Sequence, residues 1–151
     1  MIRRAGLKSK PGGLKKRVGL RKKRTGTMKH KAWAVFSQYI RQREMDENGM
    51  VSCISCGKVD HWKNMDAGHY VPKSVSLVLR FSEIAVQNQC TACNRFRHGN
   101  LTQYALALQR KYGPEVLEKL DTIRRENQNY RLSEQAYVEI YERYKALVKD
   151  V

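Results

Sequence analysis

Four cysteines set out the first chemistry. Cys53-Ile-Ser-Cys56 and Cys90-Thr-Ala-Cys93 are two C-x-x-C pairs, and they use every cysteine in the 151-residue chain. Two thiolates separated by two residues can wrap one ion, and two such knuckles complete a tetrahedral sulfur shell of the kind that holds structural zinc. Gly57 directly follows the first pair, where a knuckle turn calls for a residue that tolerates positive φ. Redox thiols and unrelated buried cysteines are the competing readings. That all four residues fall into matched pairs favours one Zn2+ per chain, and a closed shell of four thiolates leaves no position for a substrate. The clasp alone therefore signals a stabilised small fold, not a reaction.

The 33 residues between the knuckles exceed ordinary zinc-ribbon spacing, so something substantial is inserted there. The insert carries Asp66-Ala-Gly-His69-Tyr70 and a loop through Pro72 and Arg80, and Asn94 follows the last cysteine directly. His69 and Asn94 are thus both tied to the clasp. A hairpin followed by a short helix starting near Thr91 would bring them together. His61 and Trp62 are expected to pack on the first knuckle or to sit in its turn.

The elements that must position these groups are mostly helical. Trp33, Phe36 and Ile40 recur at helical spacing, with Tyr39 alongside, and predict a helix from Met28 to about Glu47 that ends near Asn48-Gly49. Because its aromatics share one face, they read as core and not as base-stacking groups. Leu101, Tyr104, Ala105, Leu108 and Tyr112 mark a second helix, stopped by Gly113-Pro114, with Pro114 suited to the first turn of the next. Val116, Leu117, Leu120 and Ile123 supply the buried face of that third helix. Ser133 can cap a last one carrying Tyr137, Ile140, Tyr141, Tyr144, Leu147 and Val148.

Charge is placed unevenly. The chain has a net charge of +16, yet Met1 to Lys31 holds 13 of its 30 lysines and arginines and none of its 14 acids. A disordered basic arm over residues 1–27 is expected, joined to one nearly neutral domain over residues 28–151. Arg3, Arg4, Lys15, Lys16, Arg17, Arg21, Lys22, Lys23 and Arg24 would meet nucleic-acid phosphates through counterion release. A solvated tail or a membrane-surface patch is the alternative, but the arm lacks the bulky apolar face that an interfacial helix needs. No apolar run approaches the ~20 residues that cross a bilayer, and no secretory signal is visible. The expected location is therefore the cytoplasm, with no membrane partner and with thiols kept reduced.

With those residues in view, the pattern CISCG, DAGHY, LRFSE, QCTACN and GN resembles the phage NinG proteins, also called Rap, the recombination nucleases of lambdoid phages. More distantly it resembles the HNH nucleases that include phage endonuclease VII. The resemblance runs from about His30 to Lys149, and it implies an α+β fold: a small zinc-clasped ββα-metal (HNH, or His-Me finger) core flanked by long helices. It further implies a metal-dependent DNA endonuclease acting on branched recombination intermediates, Holliday junctions and D-loops, in a bacterial host. In that reading His69 is the general base, and Asn94 is the ligand for a catalytic Mg2+ or Mn2+. Both roles suit the residues, since a neutral imidazole titrates near working pH and an amide oxygen is a hard ligand. Two positions depart from the family pattern. Gly68 stands where a metal-binding Asp or His is common, so Asp66 is the substitute ligand. Ala85 stands where an asparagine usually orients the base, leaving Asn88 in a shifted register, or a backbone carbonyl, to compensate.

Lys73, Arg80, Arg95 and Arg97 lie near the implied site, as phosphate contacts or as solvated surface charge. Asn100 could cap a helix or support a ligand, and His98 is optional. Paired cuts across a junction need two active sites, which makes a homodimer through the C-terminal helices attractive. A non-catalytic zinc-ribbon DNA-binding protein, and an RNA-binding basic protein, are the rival functions.

Overall fold

The computed structural model describes residues 27–150. The basic arm, with its eleven lysines and arginines from Arg3 to Arg24, lies outside the described residues. The order of elements is α1 (Met28–Gln42), β1 (Met50–Ser52), β2 (Val59–His61), β3 (Met65–His69), β4 (Val86–Cys90), α2 (Leu101–Tyr112), α3 (Val116–Glu126) and α4 (Glu134–Lys145). Two two-stranded antiparallel sheets, β1–β2 and β3–β4, are set among four helices, which makes the fold α+β. Within β3–β4 the register pairs Met65 with Cys90 and His69 with Val86.

Helix α1 forms on the expected stripe. Phe36 and Ile40 are fully buried and meet Val86 of β4 and Tyr144 of α4, with Trp33, Phe81 and Ile140 packed around them. The helix stops at Gln42, short of the expected end near Asn48-Gly49. Tertiary bonds at its last turn give the reason. Arg43 turns its guanidinium to the carbonyls of Glu83 and Val86 and to the Gln87 side chain, at 2.7, 3.3 and 2.6 Å. Gln42 is buried and exchanges hydrogen bonds with the backbone of Lys149, which ties the end of α1 to the chain beyond α4.

The remaining helices keep their expected bounds closely. Gly113, at φ +97°, ends α2 in a conformation that favours glycine. The Ser133 hydroxyl accepts the backbone N–H of Ala136 and caps α4. Tyr104, Leu108, Val116 and Leu120 form a second core with Val71, Leu79 and Ala85 from the segment joining β3 to β4. Ile123, expected on the buried face of α3, is instead 38% exposed at its far end. Among the described residues, no helix is long and apolar enough to cross a membrane.

Strand β4 is buried along its whole length although three of its five residues are polar amides. Amides can occupy such a strand because their nitrogens find partners, although the Asn88 Oδ1 and Gln89 Oε1 oxygens accept none among the described residues. Gln87 donates to the carbonyls of Glu83 and Ile84 and to Tyr112, Asn88 donates to the Ile40 carbonyl, and Gln89 donates to Ser55 and the Gly99 carbonyl. β4 is therefore a polar hub joining α1, the first cysteine knuckle and the turn after the second.

Candidate functional site

The hairpin β1–β2 carries the first knuckle in its turn. Cys53 N–H donates to the Lys58 carbonyl and Gly57 N–H to the Cys53 carbonyl, both at 2.8 Å, and Gly57 sits at φ +74°. Cys90 ends β4, and Cys93 lies in a short π-helical turn, Ala92–Phe96. All four sulfurs lie within 4.8 Å of one another, and Cys56 Sγ is 3.7 Å from Cys90 Sγ. A tetrahedral ion with Zn–S bonds near 2.3 Å requires sulfurs about 3.8 Å apart. The four cysteines could therefore bind a zinc ion, and a soft sulfur donor set suits that metal. Burial pushes the thiols of Cys53, Cys56 and Cys93 up, so that a cation displacing their protons is what would let them become thiolates together.

The surroundings hold this shape. Ile54 N–H bonds the Asn88 carbonyl and Gln89 links Ser55 to Gly99, so both knuckles are fastened to β4. Trp62 is buried against the cysteines, while His61 ends β2 and accepts the Lys63 N–H. Asn100 precedes α2 without capping it and instead donates to Cys93 Sγ at 3.5 Å.

His69 ends β3, and its ring lies against Trp33 with centroids 4.8 Å apart and planes 20° from parallel. Its Nε2 is 3.3 Å from the carbonyl oxygen of Arg80. With Nε2–H donating there, the tautomer leaves the Nδ1 lone pair free. Burial lowers the imidazole pKa to about 4, the positive charges of Arg80 and Lys73 act in the same direction, and the Arg80 carbonyl opposes them. The ring is neutral at physiological pH. Ala85 and Asn88, the positions considered for orienting it, serve elsewhere. The Ala85 carbonyl accepts from Tyr70 N–H and the Tyr104 hydroxyl, and the Asn88 side chain faces Ile40. A backbone carbonyl, Arg80, does the orienting.

Asn94 stands on the turn that holds Cys93. Its Nδ2 donates to Asp66 Oδ2 at 3.0 Å, which leaves its Oδ1 to accept or to ligate. Asp66 also accepts two bonds from Arg95, at 2.9 and 3.1 Å. Burial works against the ionised Asp66, but hydrogen bonds from Arg95 and Asn94 outweigh it and hold the carboxyl below its ordinary range. A side chain at Gly68 would require Gln89 to move, because a Cβ there would lie 2.0 Å from Gln89 Oε1.

His69 and Asn94 line one cleft of about 570 Å³, together with Trp33, Lys73, Arg95 and His98. Asp66 lies behind Asn94 and does not line the cleft. Arg80 is stacked over Trp33 and Phe81, at 5.5 and 5.6 Å from their ring centroids, and so backs the His69 pocket. Arg97 is exposed on the turn. Another cleft of about 550 Å³ runs beside α4, with Glu139 and Arg143 as its only ionisable groups apart from tyrosines. Trp33 packs on the core of Phe36 and Ile40, as expected, and also stacks on His69, a contact that has no signal in the spacing.

The family model of the bacteriophage lambda NinG protein matches residues 2–151 of the chain. Among individual proteins, the chain is 33% identical to protein ninG of Escherichia phage lambda over 92 residues, covering 61% of this chain and 43% of that one. It is 30% identical to protein ninG of Salmonella phage P22 over 121 residues, covering 80% and 56%. The chain thus spans about half the length of the curated relatives it matches. No solved structure matches it.

Proposed function

The chain belongs to the NinG family, and from that premise we propose that it is a metal-dependent DNA endonuclease of the HNH type that cuts branched DNA such as Holliday junctions and D-loops. The observation that carries this reading is a single cleft holding a neutral His69 with a free Nδ1, Asn94 with a free Oδ1, and the cations Lys73 and Arg95. The order β3, β4 and helical turn, with His69 ending the first strand and Asn94 on the turn, supports a ββα-metal core.

In the proposed reaction His69 Nδ1 takes a proton from water, the resulting hydroxide attacks phosphorus, and the bond to the 3′ oxygen breaks. Asn94 Oδ1 fits a hard divalent ion, which keeps most of its waters and takes few protein ligands. When bound, Mg2+ or Mn2+ would supply Lewis-acid stabilisation of the phosphate and the leaving oxygen. Asp66 is assigned a positioning role: it turns the Asn94 amide so that the oxygen faces the cleft, and it holds Arg95 at the rim. Lys73, Arg95 and Arg97 are assigned to phosphates. The arm, outside the described residues, is assigned to sequence-independent attraction. Paired cuts would require two copies, so a homodimer on the junction is part of the proposal.

The test incubates the protein with labelled four-way junction, D-loop, single strand and linear duplex in Mg2+ or Mn2+, with a chelator control and His69→Ala. Cleavage of the branched forms that needs both the ion and His69 is the expected result. Binding without cleavage under every condition would leave a zinc-ribbon DNA-binding protein.

A further inference from the structure

Phe96 is the most exposed large apolar residue described, at 78%. Single exposed apolar side chains are ordinary on protein surfaces, so its setting decides what it means. It closes the Ala92–Phe96 turn, whose form is held by bonds from Arg97 N–H to the Ala92 carbonyl and from Gly99 N–H to the Cys93 carbonyl. The ring is therefore presented on a backbone fastened to the cysteine clasp. Arg95, Arg97 and His98 beside it are exposed, and residues 91–100 contain no acid. Asn94, two residues earlier on the same turn, faces the cleft.

A lone phenyl ring among guanidinium groups is poor ground for an apolar protein surface, whose docking would desolvate the cations beside it. A nucleic-acid strand answers both features at once. Its phosphates meet Arg97 and His98, and a base freed from pairing covers the ring. Resting on the nuclease reading, we propose that Phe96 is a stacking platform for an unpaired nucleobase at a branch point, next to the strand whose phosphate enters the cleft. Intact duplex keeps its bases stacked on one another and cannot use the platform, so Phe96 favours branched DNA over linear duplex.

The test places 2-aminopurine, a base whose fluorescence falls on stacking, at an unpaired branch position. The full chain is used with Ca2+ in place of Mg2+, so that binding is read without cutting. Wild type should quench the probe, and Phe96→Tyr should retain the quenching. Phe96→Ala and Phe96→Leu should lose it and bind the branched form about fivefold or more weakly, with unchanged affinity for linear duplex and unchanged metal content. Phe96→Leu behaving as wild type would overturn stacking. So would an equal loss on branched and linear DNA in Phe96→Ala, or a change of oligomeric state in that variant by sedimentation. Quenching that depends on Phe96 in a protein that cuts nothing would defeat the nuclease reading and leave this one standing. Cutting by a protein whose quenching ignores Phe96 would do the reverse.

Discussion

His69 and Asn94, which line the same cleft, are held by different kinds of structure. His69 is positioned by aromatic packing: Trp33 lies on its ring, Phe81 stands edge to face with Trp33, and Phe36 stands edge to face with Phe81 and Tyr144. Asn94 is positioned by the cysteine clasp, next in the chain to Cys93, and by its bond to Asp66 of β3. The first region spreads its stability over many contacts, each buried side chain contributing about 1.5–3 kcal/mol. The second has Val51, Trp62 and Met65, with Met45 partly buried beside them, as the large apolar residues around its sulfurs, so binding of one ion there would supply much of what holds it. The site therefore has one half that tolerates piecemeal damage and one that fails at a single step.

Removing the metal should break that asymmetry open most visibly. Cys90→Ser should lose zinc by elemental analysis and lose cleavage, because structural zinc contributes on the order of 10 kcal/mol in small domains. The helical circular dichroism of α1–α4 should fall far less than the activity. A metal-free protein that still cut DNA would erase the distinction between the two halves. Next in size are the two cleft residues themselves. His69→Ala should slow cleavage about 100-fold or more with DNA affinity nearly intact. Asn94→Ala should act similarly but regain part of its rate in raised Mn2+. Equal rescue of both variants would show that the halves do not divide the chemistry as proposed.

A pH titration separates the packed half from the clasp. The folded pKa of His69, about 4, lies below its ordinary value near 6.5. The unfolded chain therefore binds the extra proton first as pH falls. Stability from this term is complete above about pH 6.5 and is lost as pH falls through 4, by about 3 kcal/mol in all, of which about 2 kcal/mol goes between pH 6.5 and 4.5. Denaturant melts at pH 6.5 and 4.5 should show that loss in wild type and not in His69→Gln, and the difference between the proteins cancels protonation of the cysteines. The smallest expected effect is that of Trp33→Leu. It should lower the cleavage rate about tenfold, shift the acid limb of the rate profile upward towards pH 6.5, and leave zinc content unchanged. A loss of zinc in this variant would mean that the packed half also supports the clasp.

These regions also differ in how plainly they can be read from sequence. The clasp is legible because cysteine is chemically distinctive and its spacing carries the ligand geometry. Helices α2, α3 and α4 are legible through apolar periodicity, Gly113 and the Ser133 cap. β4 is not, because Val86-Gln-Asn-Gln-Cys90 alternates no apolar face. Its burial depends on amide partners such as Ile40 and Gly99 that lie outside the strand's own pattern. The end of α1 is overestimated for a related reason, since the Arg43 side chain is drawn to the Glu83 and Val86 carbonyls beside β4, partners outside the helix's own pattern. Within the site, the Arg80 carbonyl that orients His69 has no possible signature, every residue having the same carbonyl. Asp66 reads as a ligand by its type, whereas its bonds to Asn94 and Arg95 fit a positioning residue.

Gly68 makes the route by which such a site can be altered depend on the order of steps. Introducing an aspartate or histidine there, one residue before His69, would drive a Cβ into Gln89. Gln89 cannot simply be shortened first, because its amide joins Ser55 of the first knuckle to Gly99 behind the second. The two positions form a ratchet: either replacement alone meets a steric or a hydrogen-bonding barrier, and only a pair whose residue 89 yields space while still bonding Ser55 and Gly99 passes. Directed evolution by single substitutions should therefore leave Gly68 in place, while libraries that vary residues 68 and 89 together are where a new ligand at this position can emerge.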